Sequence, residues 1–463
     1  MKTIRIWTAL LLFTQFAGAQ DRVAKIDSLL NALYAEKSIN GNFLVAEKGN
    51  VIYKKSFGLA NERTNEKLDE NSIFELASVS KQFTAMAIMI LSEKGKLNLD
   101  DDFSTYLPEL SHYKGITVRN LLHHTGGLPD YMNLMDSLSD KTKIVSNKDI
   151  IAVFAKHKPA VVFKPNTKFE YSNTGYALLG SIIEKTSGKS FGDYLAASIF
   201  KPLQMKNTFV YNRRFQPRKV AHYAFGYVYS KSAKKYILPD DSPENNYVVW
   251  LDGIVGDGTV NSTVNDLLKW DRALYTNKLL SENGMKQLFE AGTLSDNSKT
   301  KYGMGFFVDD NPDFGKLANH SGGWPGYVTY IDRHLDHDKT IIALQNHEGV
   351  KVPIKSIRNI LYGKPLESVK TRQEIALGLD QLQKFVGSYE VQKGFEMVIS
   401  LKDNQLFTQL PGQDAFPIFA ESDVLFFLKI VDAQIKFEKN EAGEIAGAML
   451  LQNGNSVVAK RVN

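Results

Sequence analysis

The chain has 463 residues, a formal net charge of +5 and no cysteine, and 43% of its residues are hydrophobic while 23% are charged. This length and composition are typical of a globular protein with more than one domain. They exclude disulfides, thiolate nucleophiles and cysteine-bound metals, and lysines scattered among 51 acidic residues give no basic stripe for a nucleic-acid partner.

The first 19 residues have the pattern of a secretory signal peptide. Lys2 and Arg5 precede an apolar run over residues 6–16, and Ala17-Gly18-Ala19 follows. We expect cleavage before Gln20, which would place the mature protein in the periplasm or outside the cell. An uncleaved membrane anchor is the alternative, but the apolar run is too short to cross a bilayer, so no stable membrane span is expected after cleavage.

A helix is predicted around residues 21–37, and a β-hairpin over residues 41–57. Apolar and polar residues alternate there on either side of Lys48-Gly49-Asn50, which is a turn signal. A helix from residue 78 to about 93 follows, because apolar residues recur at helical spacing and Gly95 provides a stop.

Ser78 and Lys81 stand at the start of this helix, one turn apart. On one helix face the lysine amine can reach the serine hydroxyl. A serine hydroxyl is a poor nucleophile at neutral pH, and a desolvated lysine can act as its base. The N–H groups at the helix start favour negative charge that develops nearby.

Ser-x-x-Lys is common by chance, and the chain contains four further pairs. Two of them lie in polar runs that predict solvated loops, and only Ser78 opens a long apolar helix. The serine of residue 78 is therefore the favoured nucleophile. The other pairs are Ser111/Lys114, Ser198/Lys201, Ser232/Lys235 and Ser298/Lys301.

His123-His124 lies in a loop flanked by glycine and proline. We interpret this pair as structural, because no carboxylate accompanies it and the nine histidines show no zinc-ligand spacing. No metal and no cofactor are predicted. Tyr171-x-Asn173 is a stronger candidate, because it stands directly before a helix predicted over residues 176–187, which looks buried.

Two later segments complete the candidate site. Residues 222–247 predict a hairpin and a long loop that could wall a cleft, and Gly256-Asp257-Gly258 precedes a capped helix at 263–275. His320-x-Gly322 precedes strands predicted over 327–332 and 340–345. Glycines beside a strand allow a ligand to approach the backbone closely, although a turn between two strands is the structural alternative.

The composition changes near residues 362–365. We predict a linker over 363–378, a short helix at 379–385 and seven or eight strands that form a small antiparallel barrel over 379–463. The turn signals include Asp403-Asn404 and Asn453-Gly454. The predicted strands are 397–401, 405–410, 416–419, 425–430, 433–437, 446–451 and 457–462.

Ser78-x-x-Lys81, Tyr171-x-Asn173 and His320-x-Gly322, in this order, resemble the serine β-lactamase and penicillin-binding protein superfamily. The similarity is to its class C-like branch of esterases, D-aminopeptidases and D-Ala-D-Ala carboxypeptidases. It covers about residues 25–362 within a domain at 20–362, supported by the segment 121–129 and by residues 256–258. The resemblance implies an α+β fold with an antiparallel sheet flanked by helices, and the C-terminal part is similar to the lipocalin-like domains of some members.

The resemblance also implies roles. Ser78 would attack an amide or ester carbonyl and form an acyl-enzyme, with Lys81 and Tyr171 as general base and acid in an order that stays open. Asn173, His320 and Gly322 would bind a small-molecule, peptide or ester substrate. The backbone N–H groups of Ser78 and Gly323 would form the oxyanion hole.

One position departs from the family pattern. Lactamases commonly carry a lysine where His320 stands, and a histidine with a pKa near ~6.5 is mostly neutral at pH 7. A neutral group holds a substrate carboxylate less firmly, so we expect peptidase or esterase activity rather than efficient β-lactam hydrolysis. A catalytically silent protein that binds envelope peptides or other ligands is the alternative hypothesis.

Overall fold

The computed structural model describes residues 4–366, 372–392, 395–411, 415–429, 433–452 and 455–462. The chain divides into two compact units, Met1–Lys364 and Pro365–Asn463. Each unit encloses its own hydrophobic core. The predicted signal peptide begins with residues 1–3, which lie outside the described ranges, and the backbone from Ile4 onward is helical.

The α-helices of the first unit surround a central sheet. They are α1 Ile4–Ala35, α2 Lys81–Glu93, α3 Val118–Leu122, α4 Tyr131–Leu138, α5 Asn147–His157, α6 Asn173–Ser187, α7 Phe191–Leu195, α8 Tyr247–Trp250, α9 Val264–Ala273, α10 Glu282–Phe289 and α11 Ile354–Leu361. Within the parts of the chain that the structure describes, no helix is both long and apolar enough to pass through a bilayer.

The strands of the first unit form one large sheet and several small ones. They are β1 Gly41–Glu47, β2 Asn50–Phe57, β3 Leu59–Asn61, β4 Glu66–Lys67, β5 Phe74–Glu75, β6 Phe209–Val210, β7 Val228–Ser230, β8 Lys235–Ile237, β9 Val260–Ser262, β10 Phe307–Asn311, β11 Gly315–Trp324, β12 Tyr327–His334 and β13 Lys339–Gln345. The large antiparallel sheet has the order β10-β11-β12-β13-β1-β2, and a smaller sheet has the order β5-β9-β6.

Both faces of the large sheet are covered. Phe43 and Val45 of β1 point to a core shared with α1 and α11, whereas Leu44 and Ala46 point to the core that contains α2. Strand alternation therefore separates two apolar layers, one on each face. This is an α+β fold with an antiparallel sheet flanked by helices, which confirms the predicted fold class.

Helix α2 lies in the centre of the first unit. It follows a 3₁₀ turn at Ala77–Ser80, and all of its residues from Lys81 to Leu91 are buried. Gly95, with φ of +65°, stands just beyond its end, where a left-handed conformation suits glycine. The helix predicted from residue 78 to about 93 is confirmed, with its first turn tighter than an α-helix.

The second unit is a closed barrel of eight strands in sequential order. A short helix, α12 Leu379–Leu382, and a 3₁₀ turn at Gln383–Phe385 precede it. Neighbouring strands are antiparallel, and the first strand closes on the last. The strands are β14 Gly387–Gln392, β15 Phe395–Lys402, β16 Gln405–Gln409, β17 Phe416–Ala420, β18 Leu425–Leu428, β19 Ala433–Lys439, β20 Ile445–Gln452 and β21 Asn455–Arg461.

The predicted antiparallel barrel is confirmed. The strand that sequence analysis missed is β14, because Tyr389 and Val391 are its only large apolar residues. Asp403 and Asn404 both have positive φ, as a tight hairpin turn requires. The predicted turn at Asn453-Gly454, and the predicted end of a strand at residue 430, lie outside the described residues.

Candidate active site

The turn that carries Ser78 is fastened on two sides. The N–H of Leu76 donates to the carbonyl oxygen of Val260 at 2.8 Å, and the N–H of Val260 donates to the hydroxyl of Ser80 at 3.1 Å. On the other side, the hydroxyl of Thr329 donates to the carbonyl oxygen of Leu76 at 2.7 Å. Strands β9 and β12 therefore hold the candidate nucleophile between them.

Ala77, directly before Ser78, is in the left-handed region with φ of +48°. A non-glycine residue there costs roughly 1–3 kcal/mol and persists only where the surrounding structure imposes it. Ala77 is buried, whereas Ser78 is partly exposed and borders a cavity. The strained residue therefore stands where the chain turns to present the serine.

Lys81 is fully buried, and its Nζ contacts three oxygen atoms. Ser78 Oγ lies at 3.1 Å, Asn173 Oδ1 at 2.9 Å and the main-chain oxygen of Asp257 at 2.8 Å. The amide and main-chain oxygens can only accept hydrogen bonds. The amine donates to both, and the Ser78 hydroxyl is within reach of the same nitrogen, which is the contact that a serine nucleophile and its base require.

Asn173 is the first residue of α6, whose N-cap is Ser172. The hydroxyl of Ser172 accepts a hydrogen bond from the N–H of Gly175 at 3.1 Å, which fixes the start of the helix. With Oδ1 bound to Lys81, the side-chain amide of Asn173 presents its N–H₂ as a donor. The residue also borders the cavity, so it can donate to a substrate carbonyl.

Tyr171 lies beside the same lysine. The centre of its ring is 5.0 Å from Lys81 Nζ, and its hydroxyl is buried without a hydrogen-bond partner among the described residues. A buried hydroxyl with no partner is unfavourable and is therefore uncommon. Tyr171 does not border the cavity, so its role in proton exchange with a substrate stays a prediction.

One histidine of the pair in the 121–129 segment, His124, packs against the Tyr171 ring. The His124 ring lies 4.4 Å from the Tyr171 ring, and its Nδ1 accepts a hydrogen bond from the N–H of Ser172 at 3.0 Å. Burial holds the pKa of His124 well below its usual range, and it lowers the pKa of His123 to about 4. Both rings are therefore neutral at pH 7, in keeping with their interpretation as structural residues.

Strand β11 runs directly against the nucleophile turn. A Cβ atom added at Gly322 would lie 2.2 Å from the carbonyl oxygen of Leu76 and 2.2 Å from Thr329 Oγ1, whereas one at Gly323 would meet nothing within 4 Å. Gly322 is thus needed for close packing, and Gly323 borders the cavity together with Ser78. Both backbone amides proposed for the oxyanion hole belong to residues at this cavity, and that role stays a prediction.

His320 lies on β11, two residues before Gly322, and it is buried. Its Nδ1 lies 2.6 Å from the carbonyl oxygen of Ser321, and its Nε2 lies 2.9 Å from the hydroxyl of Tyr302. Burial, and next the charge of Lys81, lower the pKa of His320 to about 3. His320 is therefore neutral and does not border the cavity, so the geometry favours a positioning role over the direct substrate contact that the resemblance implies.

Comparison with known proteins agrees with this arrangement. The Beta-lactamase family matches residues 26–361, the part of the chain that contains every residue of the site. The chain belongs to the β-lactamase family. The family predicted from the three motifs is thereby confirmed.

Curated relatives and solved structures extend this β-lactamase family assignment. The chain is 39% identical over 429 residues to penicillin-binding protein 4* of Bacillus subtilis (strain 168), which covers 91% of this chain and 95% of that protein. The octameric penicillin-binding protein homologue from Pyrococcus abyssi superposes with a TM-score of 0.66 at 24% identity, over 94% of this chain and 99% of that chain. D-amino acid amidase from Ochrobactrum anthropi SV3 superposes with a TM-score of 0.59 at 24% identity, over 74% and 97%. The two structures share the fold.

A second family, Domain of unknown function (DUF3471), matches residues 371–456. This stretch lies within the unit that forms the closed barrel. The match covers most of the barrel, which follows the β-lactamase family domain in the sequence, while its likeness to lipocalins stays a prediction.

Asp257 and Tyr131 also border the cavity of this β-lactamase family member, and sequence analysis assigned no role to either. The Tyr131 hydroxyl donates to Asp257 Oδ2 at 2.9 Å, while the main-chain oxygen of Asp257 binds Lys81. Burial raises the pKa of Asp257, and the charge of Lys81 opposes this. The motif at residues 256–258 was a sequence signal for Asp257. No local pattern could show that this segment contacts residue 131.

The cavity beside Ser78 has a volume of 410 Å³. Its walls include Asn245 and Tyr247, from the end of the segment that was predicted to wall a cleft, and Trp324. In the described ranges, no lysine, arginine or histidine borders this cavity, and no group of three or more acidic or histidine side chains is arranged to hold a metal ion.

Proposed function

We propose that this chain is an exported serine hydrolase that cleaves an amide or an ester through an acyl-enzyme on Ser78. The observation that carries the proposal is the position of Lys81 Nζ, 3.1 Å from Ser78 Oγ. The two other oxygens around this amine can only accept hydrogen bonds. The N-terminal sequence pattern supports export.

The reaction begins with attack of Ser78 Oγ on the substrate carbonyl carbon. Contact with Lys81 supports this amine as the acceptor of the serine proton. The N–H groups of Ser78 and Gly323 stabilise the negative oxygen of the tetrahedral intermediate, and each such donor is worth roughly 3–4 kcal/mol in measured cases.

Collapse of the intermediate breaks the bond to the leaving amine or alcohol. Tyr171 is suited to donate the proton that this group needs, because its hydroxyl has no competing partner within the described protein. A water molecule then attacks the acyl-enzyme and gives its proton to the Tyr171 phenolate, while the protonated Lys81 returns its proton to Ser78 Oγ as the acid product leaves.

The charge of the cavity supports a peptidase or esterase rather than an efficient β-lactamase. Penicillins carry a carboxylate, which a basic side chain would bind favourably. His320 is neutral, buried and away from the cavity, and no described basic side chain borders the cavity. The same argument disfavours substrates with a free carboxyl group next to the reacting bond.

The experiment is covalent labelling of the mature protein with a fluorophosphonate, followed by peptide mapping and by assays with p-nitrophenyl esters. We expect label on Ser78 and ester turnover, and loss of both in Ser78→Ala. Ser111→Ala is the matched control, since Ser111 belongs to another Ser-x-x-Lys pair and is exposed. Labelling without turnover would support the silent binding protein instead, and label elsewhere would refute the proposal.

A further inference from the structure

Among the described residues, four acidic ones border the cavity beside Ser78. They come from different parts of the first unit, and their partners differ. Asp257 is bound to Tyr131, and Glu348 lies at an exposed position. The four are Glu75, Asp252, Asp257 and Glu348.

The charge of Asp252 is compensated by an adjacent cluster of ion pairs with arginine side chains. Arg214 contacts it at 3.1 Å and contacts Asp240 at 2.7 Å, and Arg213 contacts Asp240 at 2.6 Å. Two guanidinium groups therefore face two carboxylates at close range. Neither arginine borders the cavity beside Ser78.

Glu75 is the remaining one of the four acidic residues that border the cavity. It is the last residue of β5, it is partly buried, and its carboxylate makes no hydrogen bond or ion pair with any described residue. Burying a carboxylate without a partner is costly. In a position that faces a cavity, such a group is suited to a partner supplied by the substrate.

Part of the cavity wall is aromatic. Trp324 and Tyr247 border the cavity with their rings in edge contact, 5.5 Å between centres, and Tyr327 borders it as well. Aromatic faces attract cations and pack against apolar groups. The cavity thus combines a partly buried carboxylate without a described partner, that of Glu75, with a surface that suits an apolar or cationic group.

Glu75 also lies close to the reacting centre along the chain. Two residues lie between it and Ser78, so their Cα atoms are at most about 11 Å apart. A substrate group bound by Glu75 would therefore lie near the scissile bond, within the same cavity.

We propose that Glu75 determines specificity by binding an ammonium group of the substrate, so that the chain prefers amides or esters with a free amine near the scissile carbonyl. This inference rests on the proposed function, because it concerns the same cavity and the same nucleophile. Neutralised analogues, in which the amine is acylated, are the poorer substrates. Analogues with a carboxylate at that position are poorer still.

The protonation behaviour of Glu75 supports the same conclusion. Burial, with the nearby charge of Asp252 as a smaller cause, raises the pKa of Glu75 to about 7, against the opposing charges of Arg214 and Arg213. Tyr223 and Tyr327 also face it. Below pH 7 the protonated acid attracts a cation weakly, so binding of an ammonium group strengthens as the pH rises through 7.

The test is protection of Ser78 from the fluorophosphonate. The competitors are 2-phenylethylammonium, which stays charged up to about pH 10 as lysine does, and 2-phenylethanol, which is neutral. In the wild type the amine protects at a concentration roughly tenfold or more below that of the alcohol, as a charged hydrogen bond allows. Its advantage grows between pH 6 and 8.

Glu75→Gln removes the advantage of the amine, while Ser78 is still labelled. Glu70→Gln is the control, because Glu70 is an exposed carboxylate paired with Lys54, and this variant keeps the advantage of the amine. A second measurement compares the p-nitroanilides of D- and L-phenylalanine with the amine free, acetylated or succinylated. Equal protection by amine and alcohol in the wild type overturns the inference whether or not the variant folds. Absence of labelling in the wild type overturns the proposed function itself.

Discussion

Lys81 Nζ lies 3.1 Å from Ser78 Oγ, and the lysine is fully buried among hydrogen-bond acceptors. A base in this position must be able to lose its proton. Lysine can do so, whereas a guanidinium cannot, because its pKa exceeds about 12. This difference separates a catalytic amine from a merely structural cation.

Lys81→Arg should therefore lower kcat/KM for a p-nitrophenyl ester by roughly 10²–10⁴-fold, the usual contribution of a general base. The rate of Ser78 labelling should fall as well. Lys114→Arg is the matched control, since Lys114 is exposed and belongs to another Ser-x-x-Lys pair. An arginine variant that folds and keeps its activity would show that Lys81 is not the base.

Tyr171→Phe should separate activity from stability. Its hydroxyl is buried without a partner among the residues that the structure describes, so its removal should leave the free energy of unfolding unchanged or slightly raised. Turnover should fall by roughly 10²–10⁴-fold if the phenol transfers a proton. Urea denaturation and steady-state kinetics of the same preparation measure both quantities.

Tyr176→Phe provides the contrast for this experiment. The Tyr176 hydroxyl donates to the carbonyl oxygen of Leu122 at 2.9 Å inside the core. Its loss should lower the free energy of unfolding by about 1–3 kcal/mol, the cost of a buried acceptor without a donor, with less effect on turnover. The opposite pattern in the two variants would contradict the assignment of Tyr171.

The two neighbouring glycines of β11 should respond differently to alanine. At Gly322 the new methyl group would meet Leu76 and Thr329 at 2.2 Å, so the free energy of unfolding should fall by about 1–3 kcal/mol. Labelling of Ser78 should fall as the turn is displaced. At Gly323 the same change meets no atom within 4 Å and should preserve the melting temperature, and equal destabilisation of both variants would argue against this packing.

Glu75→Gln should stabilise the protein, but only at neutral and higher pH. The pKa of Glu75 rises from 4.5 to about 7 on folding, so the folded state holds the proton more tightly. The stability of the wild type then falls as the pH rises from about 4.5 to 7, and it is level above that. The glutamine variant avoids this loss and should gain about 1–2 kcal/mol at pH 8, allowing for partial exposure of the carboxylate.

Denaturation at pH 5 and pH 8 measures this difference. The advantage of the glutamine variant should shrink at pH 5, where the wild-type side chain is itself mostly neutral. Glu70→Gln should change stability little at either pH, because its exposed pair with Lys54 contributes little. A gain that is equal at both pH values would mean that the charge of Glu75 is not the cause.

Local patterns predicted the parts of the structure that depend on local physics. Helix α2 follows from apolar residues at helical spacing and from Gly95, and the hairpin of β1 and β2 follows from alternation around Lys48 and Gly49. Both residues of that turn have positive φ, as the sequence signal implied. The order of the three motifs was enough to predict the family and the fold class.

Long-range contacts were beyond these patterns. The bond between Tyr131 and Asp257 joins positions 126 residues apart, and the pairing of β5 with β9 brings Glu75 beside Asn261. Neither segment has a periodicity that identifies its partner. The buried place of His320 was missed for a similar reason, because a single histidine on a strand does not show which face is covered.

The hydrogen bonds that tie residues 76 and 80 to β9 and β12 also affect how the protein unfolds and loses activity on heating. Because the turn that carries the candidate nucleophile is anchored to two sheets at once, it has no independent hinge on which to loosen. Inactivation by warming should accordingly coincide with cooperative melting of the whole first unit, rather than precede it as the early softening of a mobile loop.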